Sequence, residues 1–174
     1  TCMTHRGGIA ADGKTGDGCG LLLQKPDSFF RTIVKEDFGV DLSEHYGVGM
    51  IFLSQDEQKA DVSRNALNAE LEKQGLTVVG WRKVPTNNDC LGPMALDCLP
   101  TIEQVFVSAD SLTERELSLK LFMARRLAEI TARLLLVSPY SNNASGFSFS
   151  NTSSDLEITA AIFCATVSPV ISRK

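Results

Sequence analysis

The chain has 174 residues, of which 43% are hydrophobic and 22% are charged, and its formal net charge is −4. This fits one globular domain with a sizeable core, and it gives no electrostatic basis for binding nucleic acid or an anionic membrane. No apolar run reaches the roughly 18 residues of a membrane span, and we expect no secretory signal. The cysteines, at positions 2, 19, 90, 98 and 164, follow no disulfide spacing, which predicts reduced thiols in a cytoplasmic protein.

The first part of the chain predicts a strand, a helix and a second strand. The apolar run within residues 18–24 is typical of a strand. Pro26 is then well suited to the first position of a helix, because the N–H group that proline lacks has no partner within the helix at that position. Gly39 is predicted to lie near the end of this helix. Residues 46–53 form a second apolar run of strand length.

Two Ser/Thr-x-x-Glu pairs predict the starts of two further helices. Ser54 and Glu57 can form one capping box, and that helix ends near Gly75. Thr113 and Glu116 can form the other, ahead of a long helix. Arginines 125, 126 and 133 of that helix are interpreted as its solvated face.

Two more strands are predicted between these helices, at residues 76–84 and 101–108, with a loop at 85–88. We interpret Trp81 as a strand residue that faces the core, and Arg82 as its exposed neighbour, rather than as a ligand-stacking pair. The order of the elements indicates mixed α/β layers.

The composition changes near the end of the chain. From about residue 138 the sequence is rich in Ser, Asn and Thr, although residues 156–167 are apolar enough to pair as a strand. We therefore divide the chain into a domain at residues 1–128 and a divergent tail at 129–174. The tail is either linker-like or the product of a frame shift.

Residues 8–15 spell G-x-x-x-x-G-K-T, the pattern of a phosphate-binding P-loop. The context argues against that function. The preceding residues are too few and too polar for a buried strand, and the glycines at 16, 18 and 20 would each cost a helix about 1 kcal/mol relative to alanine. We interpret the segment as a glycine-rich turn with a solvated Lys14.

Longer motifs that overlap this string occur in a fixed order. They are H-R-G at 5–7, D-G-K-T-G-D-G-C-G at 12–20, Y-G-V-G-M-I-F-L at 46–53, G-W-R-K-V-P-T-N at 80–87, L-G at 91–92, I-E-Q-V-F-V at 102–107 and L-F-M-A-R-R at 121–126. In this order and spacing, residues 3 to about 127 resemble the N-terminal glutaminase domain of glutamate synthase large subunits. That domain is a class II glutamine amidotransferase.

The resemblance implies an N-terminal-nucleophile hydrolase fold, an αββα sandwich of which the first strand and the later strands would be missing here. It also implies an N-terminal cysteine whose thiolate attacks the glutamine amide, with its own α-amino group as base. The order of the motifs places this cysteine upstream of Thr1, so we expect no catalytic nucleophile in the chain. Thr1 and Cys2 are therefore interpreted as decoys.

By the same resemblance, Arg6 and Gly7 lie near the nucleophile. The Arg6 guanidinium could orient a carboxylate or a carbonyl through its rigid fork, or it could hold the turn. Four residues are assigned to a structural turn: Gly16, Asp17, Gly18 and Gly20.

No metal site is expected in this segment. Cys2, His5 and Cys19 match no closed four-ligand zinc spacing. Cys19 itself is interpreted as a small buried thiol, and His5 as a side chain satisfied within the fold.

The parent enzyme implied by the resemblance hydrolyses glutamine and delivers the ammonia to a synthase domain, which aminates 2-oxoglutarate reductively. FMN, an iron–sulfur cluster and a small reductase subunit belong to that parent, and we expect no cofactor in this segment. The segment alone is predicted to be inactive. The alternative is a non-catalytic α/β interaction domain, and nucleotide binding ranks third.

Overall fold

The computed structural model describes residues 11–15, 25–137 and 163–164 of the chain. The strand predicted at 18–24 lies outside the described residues. The elements, in chain order, are α1 (Asp27–Phe38), β1 (Tyr46–Leu53), α2 (Glu57–Lys73), β2 (Thr77–Lys83), α3 (Pro93–Asp97), β3 (Thr101–Ser108), α4 (Glu114–Val137) and β4 (Phe163–Cys164). No helix in the described ranges is long and apolar enough to cross a membrane.

The strands form one antiparallel sheet in the order β2-β3-β1-β4. β1 pairs with β3 along its whole length, from Tyr46 opposite Ser108 to Leu53 opposite Thr101. The short β4 falls within the apolar stretch 156–167 and pairs with the outer edge of β1. The bounds predicted for β1 and β3 are confirmed, and so are the mixed α/β layers.

Different helices cover the two faces of the sheet, because successive side chains of a strand point to opposite sides. Ile51 and Val105 point to one face, and Val48 and Phe106 to the other. We call the first group the α2/α4 cluster; its buried members are Ile51, Leu53, Ala60, Leu67, Leu71, Leu76, Val105, Val107, Ala109, Leu117, Leu121, Ala124 and Ala128. We call the second the α1 cluster; it consists of Val34, Leu42, Tyr46, Val48 and Phe106, with Phe30, Phe38 and Val79 packed against it.

An ion pair links α2 to β3 on the α2/α4 face. Arg64 donates from Nε and Nη2 to the two carboxylate oxygens of Glu103, over 2.9 and 2.8 Å. The two side chains are only 17% and 11% exposed. Arg64 Nη1 also donates to Glu57 and Asp61. The Glu103 carboxylate, followed by that of Glu57, raises the pKa of Arg64, so the guanidinium remains a cation.

A β-bulge in β2 sends neighbouring residues to different helices. Val78 is opposite Val107 and Gly80 is opposite Phe106, so Val79 is the extra residue. Gly80 lies under the Phe38 ring of α1, where a Cβ would come within 2.7 Å of Cδ1. Trp81 returns to the α2 side, where its indole N–H donates to Asn68 Oδ1 over 2.9 Å.

Trp81 and Arg82, which follow the bulge, make contacts on opposite faces of the sheet. The interpretation of Trp81 as a core-facing strand residue is confirmed, because it packs against the α2/α4 cluster. The interpretation of Arg82 as simply exposed is wrong. Its side chain is 22% exposed, forms an ion pair with Asp37 of α1 over 3.1 Å, and donates to Gln104.

The helix boundaries agree with those predicted from the sequence, except at the first residues of α1 and α2. α1 begins at Asp27, one residue after Pro26, and ends at Gly39 in the left-handed conformation with φ 68°. α2 is capped by Asp56, which accepts the N–H groups of Gln58 and Lys59, so the predicted Ser54–Glu57 capping box is wrong.

The capping box ahead of α4 is confirmed. The Thr113 N–H donates to Glu116 Oε2 over 2.9 Å, and the Glu116 N–H donates back to Thr113 Oγ1 over 3.4 Å. The short helix α3 was not predicted, since five residues carry too little periodicity to reveal a helix.

Candidate functional site

The residues singled out at the start of the sequence all lie outside the described residues. They are Arg6 and Gly7, expected near the nucleophile, and Gly16, Asp17, Gly18 and Gly20, assigned to a structural turn; the same holds for Thr1, Cys2, His5 and Cys19. Their roles therefore stay predictions. The described segment that lies between them in the chain is the turn at residues 11–15.

This turn is organised by the Asp12 carboxylate. Oδ1 accepts the backbone N–H of Lys14 over 3.0 Å and that of Thr15 over 2.7 Å, while Oδ2 accepts the Thr15 hydroxyl. The Thr15 hydroxyl is the largest of the causes that lower the pKa of Asp12 from 3.8 to about 2. Asp12 is therefore an anion throughout the physiological pH range.

The same geometry is unsuited to a P-loop. A P-loop offers free backbone N–H groups to phosphate and opens a helix at its Lys-Thr pair. Here Lys14 and Thr15 lie outside any helix, and an anionic side chain already accepts both of their N–H groups. To bind at the N–H groups of Lys14 and Thr15, a phosphate would have to displace the Asp12 carboxylate, which is also negatively charged. The interpretation as a turn with an exposed Lys14 is confirmed for residues 11–15.

The turn rests against the start of α3. A Cβ added to Gly92 would collide with Thr15 Oγ1 and would come within 2.5 Å of Asp12 Oδ2 and 2.9 Å of the Thr15 nitrogen. The backbone of Met94, two residues further on, lies close enough to contribute slightly to the lowered pKa of Asp12. Residues 12–15 and 92–94, far apart in sequence, are thus in direct contact. Only glycine fits at position 92.

The other end of α3 is attached to the junction between β1 and α2. Gln55 Nε2 donates to the carbonyl oxygen of Leu99 over 2.7 Å and to that of Leu96 over 3.5 Å. α3 therefore connects the end of β1 to the Asp12–Thr15 turn. The D-x-x-T spacing is typical of a local Asx turn, but no pattern in the sequence predicts its contact with α3.

Two cysteines flank α3, and both thiols are exposed and unbridged. They are Cys90 and Cys98, and the Cys98 thiol lies 3.2 Å from the carbonyl oxygen of Met94. Within the described ranges no group of three or more His, Cys, Asp or Glu side chains is arranged to hold a metal ion.

The arginines of α4 divide into two kinds. Arg126 and Arg133 are exposed, as predicted. The assignment of Arg125 to the same solvated face is wrong. Its side chain is 28% exposed, its guanidinium lies 5.4 Å from the centre of the Phe122 ring, and it lines a cavity of about 20 Å³ beside Gly47 and Gly49.

The chain belongs to the family of class II glutamine amidotransferases, whose pattern matches residues 1–153. The resemblance noted in the sequence motifs is thereby confirmed. The relatives described next are all glutamate synthases, so within this family the chain is similar to that group of enzymes.

The large chain of NADPH glutamate synthase from Bacillus subtilis (strain 168) is 43% identical over 129 residues, or 73% of this chain. Ferredoxin-dependent glutamate synthase 1 of Arabidopsis thaliana is 40% identical over 130 residues, or 74% of this chain. Ferredoxin-dependent glutamate synthase 2 of Synechocystis sp. is 36% identical over 131 residues, or 72% of this chain. In each case this chain covers 8% of the relative's own length.

Proposed function

We propose that this chain forms part of the glutaminase domain of a glutamate synthase large subunit. Glutamine is the substrate of the complete domain, which releases glutamate and ammonia. The observation that carries the proposal is the 43% identity to a glutamate synthase large chain over 129 residues. The family match does not favour the alternative of a non-catalytic interaction domain.

The proposed fold is the αββα sandwich of the N-terminal-nucleophile hydrolases. The asymmetry of the sheet supports it. α2 and α4 cover one face, whereas α1 covers the other face only near Tyr46. Met50, Phe52 and Ile102, further along the α1 face, are half-buried. A second sheet packed on these side chains would complete the sandwich.

The proposed nucleophile is an N-terminal cysteine upstream of Thr1. Its thiolate attacks the amide carbon of glutamine, and its α-amino group takes up the thiol proton. Arg6 and Gly7 lie beside it in this proposal. In this proposal the 174-residue chain alone is inactive, because glutamine hydrolysis needs that thiolate to form the acyl intermediate and hydrogen-bond donors to stabilise its oxyanion.

The proposed parent is a cytoplasmic oxidoreductase of glutamate biosynthesis and nitrogen assimilation. Its synthase domain uses the ammonia to aminate 2-oxoglutarate, with FMN, an iron–sulfur cluster and a small reductase subunit. By the family resemblance, the proposal assigns the FMN and the iron–sulfur cluster to other parts of the parent.

The proposal also treats residues 129–174 as a divergent tail that is either linker-like or the product of a frame shift. Sequencing the coding DNA tests the origin of this tail. A reading frame that restores the family pattern beyond about codon 128 would establish a frame shift, whereas the absence of one would contradict it.

Labelling with a diazoketone analogue of glutamine tests the glutaminase proposal. The chain is compared with a longer version that includes the upstream coding sequence. We expect covalent labelling of the longer version alone, at its N-terminal cysteine. Labelling of neither version contradicts the glutaminase proposal, and glutamine turnover by the 174-residue chain contradicts its inactivity.

A further inference from the structure

The contact between the Asp12–Thr15 turn and the start of α3 is more specific than a loop in a globular domain requires. One carboxylate accepts the N–H groups of Lys14 and Thr15 and the hydroxyl of Thr15. Gly92 lies so close that no side chain fits between the two segments. A carboxylate that accepts several N–H groups is held in one orientation, so this contact fixes the turn against α3.

The support behind this contact reaches the sheet. α3 is tied by Gln55 to the junction between β1 and α2. Asp56, the next residue, caps α2 by accepting two backbone N–H groups. The turn is therefore connected to the core through a short series of hydrogen bonds, and its position follows that of the sheet.

The turn lies close in the sequence to the H-R-G segment at residues 5–7. Asp12 follows Gly7 by five residues, and Thr15 immediately precedes Gly16. The turn thus follows the H-R-G segment, which the proposed function places beside the nucleophile, and precedes the glycines that the sequence assigns to a structural turn.

Resting on the proposed glutaminase function, we infer that Asp12, Thr15 and Gly92 are positioning residues for the glutaminase reaction. They act through the H-R-G segment at residues 5–7 and do not themselves contact glutamine. A displacement of about 1 Å at a reacting group can reduce the rate about a hundredfold, so a loosened turn should impair catalysis in a folded protein.

The test uses the version of the chain extended upstream to the cysteine. Thr15→Val removes the hydroxyl at nearly constant shape, Thr15→Ser keeps it, and Gly92→Ala separates the turn from α3. We expect Thr15→Val and Gly92→Ala to lower kcat/KM for glutamine by roughly ten- to a hundredfold, chiefly through kcat. Thr15→Ser should stay within about twofold of the wild type, because the hydroxyl is restored.

Thr113→Val is the matched control, because the Thr113 hydroxyl donates to the Glu116 carboxylate at the start of α4 as the Thr15 hydroxyl donates to Asp12. It should lower the unfolding midpoint by about 2–4 °C and leave kcat and KM unchanged. If Thr15→Val behaves like Thr113→Val in an active extended chain, the positioning role is wrong and the glutaminase function stands. If the extended wild-type chain neither turns over glutamine nor is labelled by the diazoketone, the glutaminase function fails, and the positioning role with it.

Discussion

The two faces of the sheet are packed to different degrees. On the α2/α4 face, two helices bury a continuous cluster and add the Arg64–Glu103 ion pair. On the α1 face, a single helix of 12 residues covers the end near Tyr46, and the packing centres on Phe106. The difference indicates that one face is complete within the described residues, whereas the other depends on a few large side chains.

Among the substitutions that remove side-chain atoms, the largest effect is expected from Phe106→Ala, on the α1 face. Phe106 is 0% exposed, and its ring contacts those of Phe30 and Phe38, with centroids 5.9 and 6.2 Å away. Removing the ring should lower the free energy of unfolding by about 3–5 kcal/mol, measured by urea denaturation. Phe29→Ala, at a position 53% exposed, serves as control and should change it by about 0.5 kcal/mol or less. A small loss at Phe106 would show that α1 does not pack on the sheet in solution.

On the α2/α4 face, Arg64→Met should lower the free energy of unfolding by about 3 kcal/mol, because Glu103 is left as a buried charge without its main partner. Adding Glu103→Leu should recover most of that loss in the same urea titration. Arg126→Met is the control at an ion pair whose arginine is 57% exposed, and it should cost less than about 0.5 kcal/mol. Equal losses at Arg64 and Arg126 would contradict a special role for the buried pair.

The attachment of α1 to β1 should depend on pH through Asp27. The Tyr46 hydroxyl donates to Asp27 Oδ1 over 2.7 Å, and this bond, followed by the one from Arg31, lowers the pKa of Asp27 below 3.8. Since the pKa is lower in the folded state, the stabilisation is fully present above pH 3.8 and is lost as the pH falls through the folded value.

Tyr46→Phe removes the hydroxyl and should cost about 1 kcal/mol at neutral pH, because Asp27 is half exposed and solvent weakens the bond. The difference from the wild type should narrow as the pH falls below 3.8. Unfolding curves across the acid range measure this. If the difference in the free energy of unfolding between Tyr46→Phe and the wild type does not vary with pH, the loss comes from altered packing of the ring and not from the bond to Asp27.

The smallest effect on stability is expected on the outer side of α4. Leu119, Met123, Ile130 and Leu134 are between 43% and 67% exposed there. Ile130→Lys should change the free energy of unfolding by no more than about 0.5 kcal/mol, while reducing the binding of a hydrophobic dye and aggregation. Ala124→Lys, at a position 0% exposed, should prevent folding. A large loss of stability at Ile130 would mean that this side of α4 is covered in solution.

The sequence predicted the elements whose signals are local. β1 and β3 were bounded correctly because each is a run of apolar residues of strand length, and the Thr113–Glu116 pair identified the start of α4 because both partners lie within one turn. Ser54 matches the same spacing, yet Asp56 lies closer to the first free N–H groups of α2 and accepts them instead.

The features that the sequence did not reveal depend on contacts between distant segments. Arg82 is paired because Asp37 of α1 lies 3.1 Å from its guanidinium, and Arg125 is partly covered where it lines a cavity beside Gly47 and Gly49. Gly92 looks like part of a loop until the Asp12–Thr15 turn is placed against it. The family, by contrast, could be recognised from the order of the motifs, and the match confirms it.

The bulge in β2 has a consequence for changes in chain length. Val79 has no partner position in β3, since Val78 and Gly80 are opposite consecutive residues. Deleting Val79 would turn the bulge into a regular ladder and would leave Val78 and Trp81 facing α2. Deleting Val78 gives the same sequence, since both residues are valine, whereas deleting Trp81 or Arg82 would shift part of the strand by one position and exchange its two faces. β2 can therefore shorten by one residue at the bulge without exchanging its two faces.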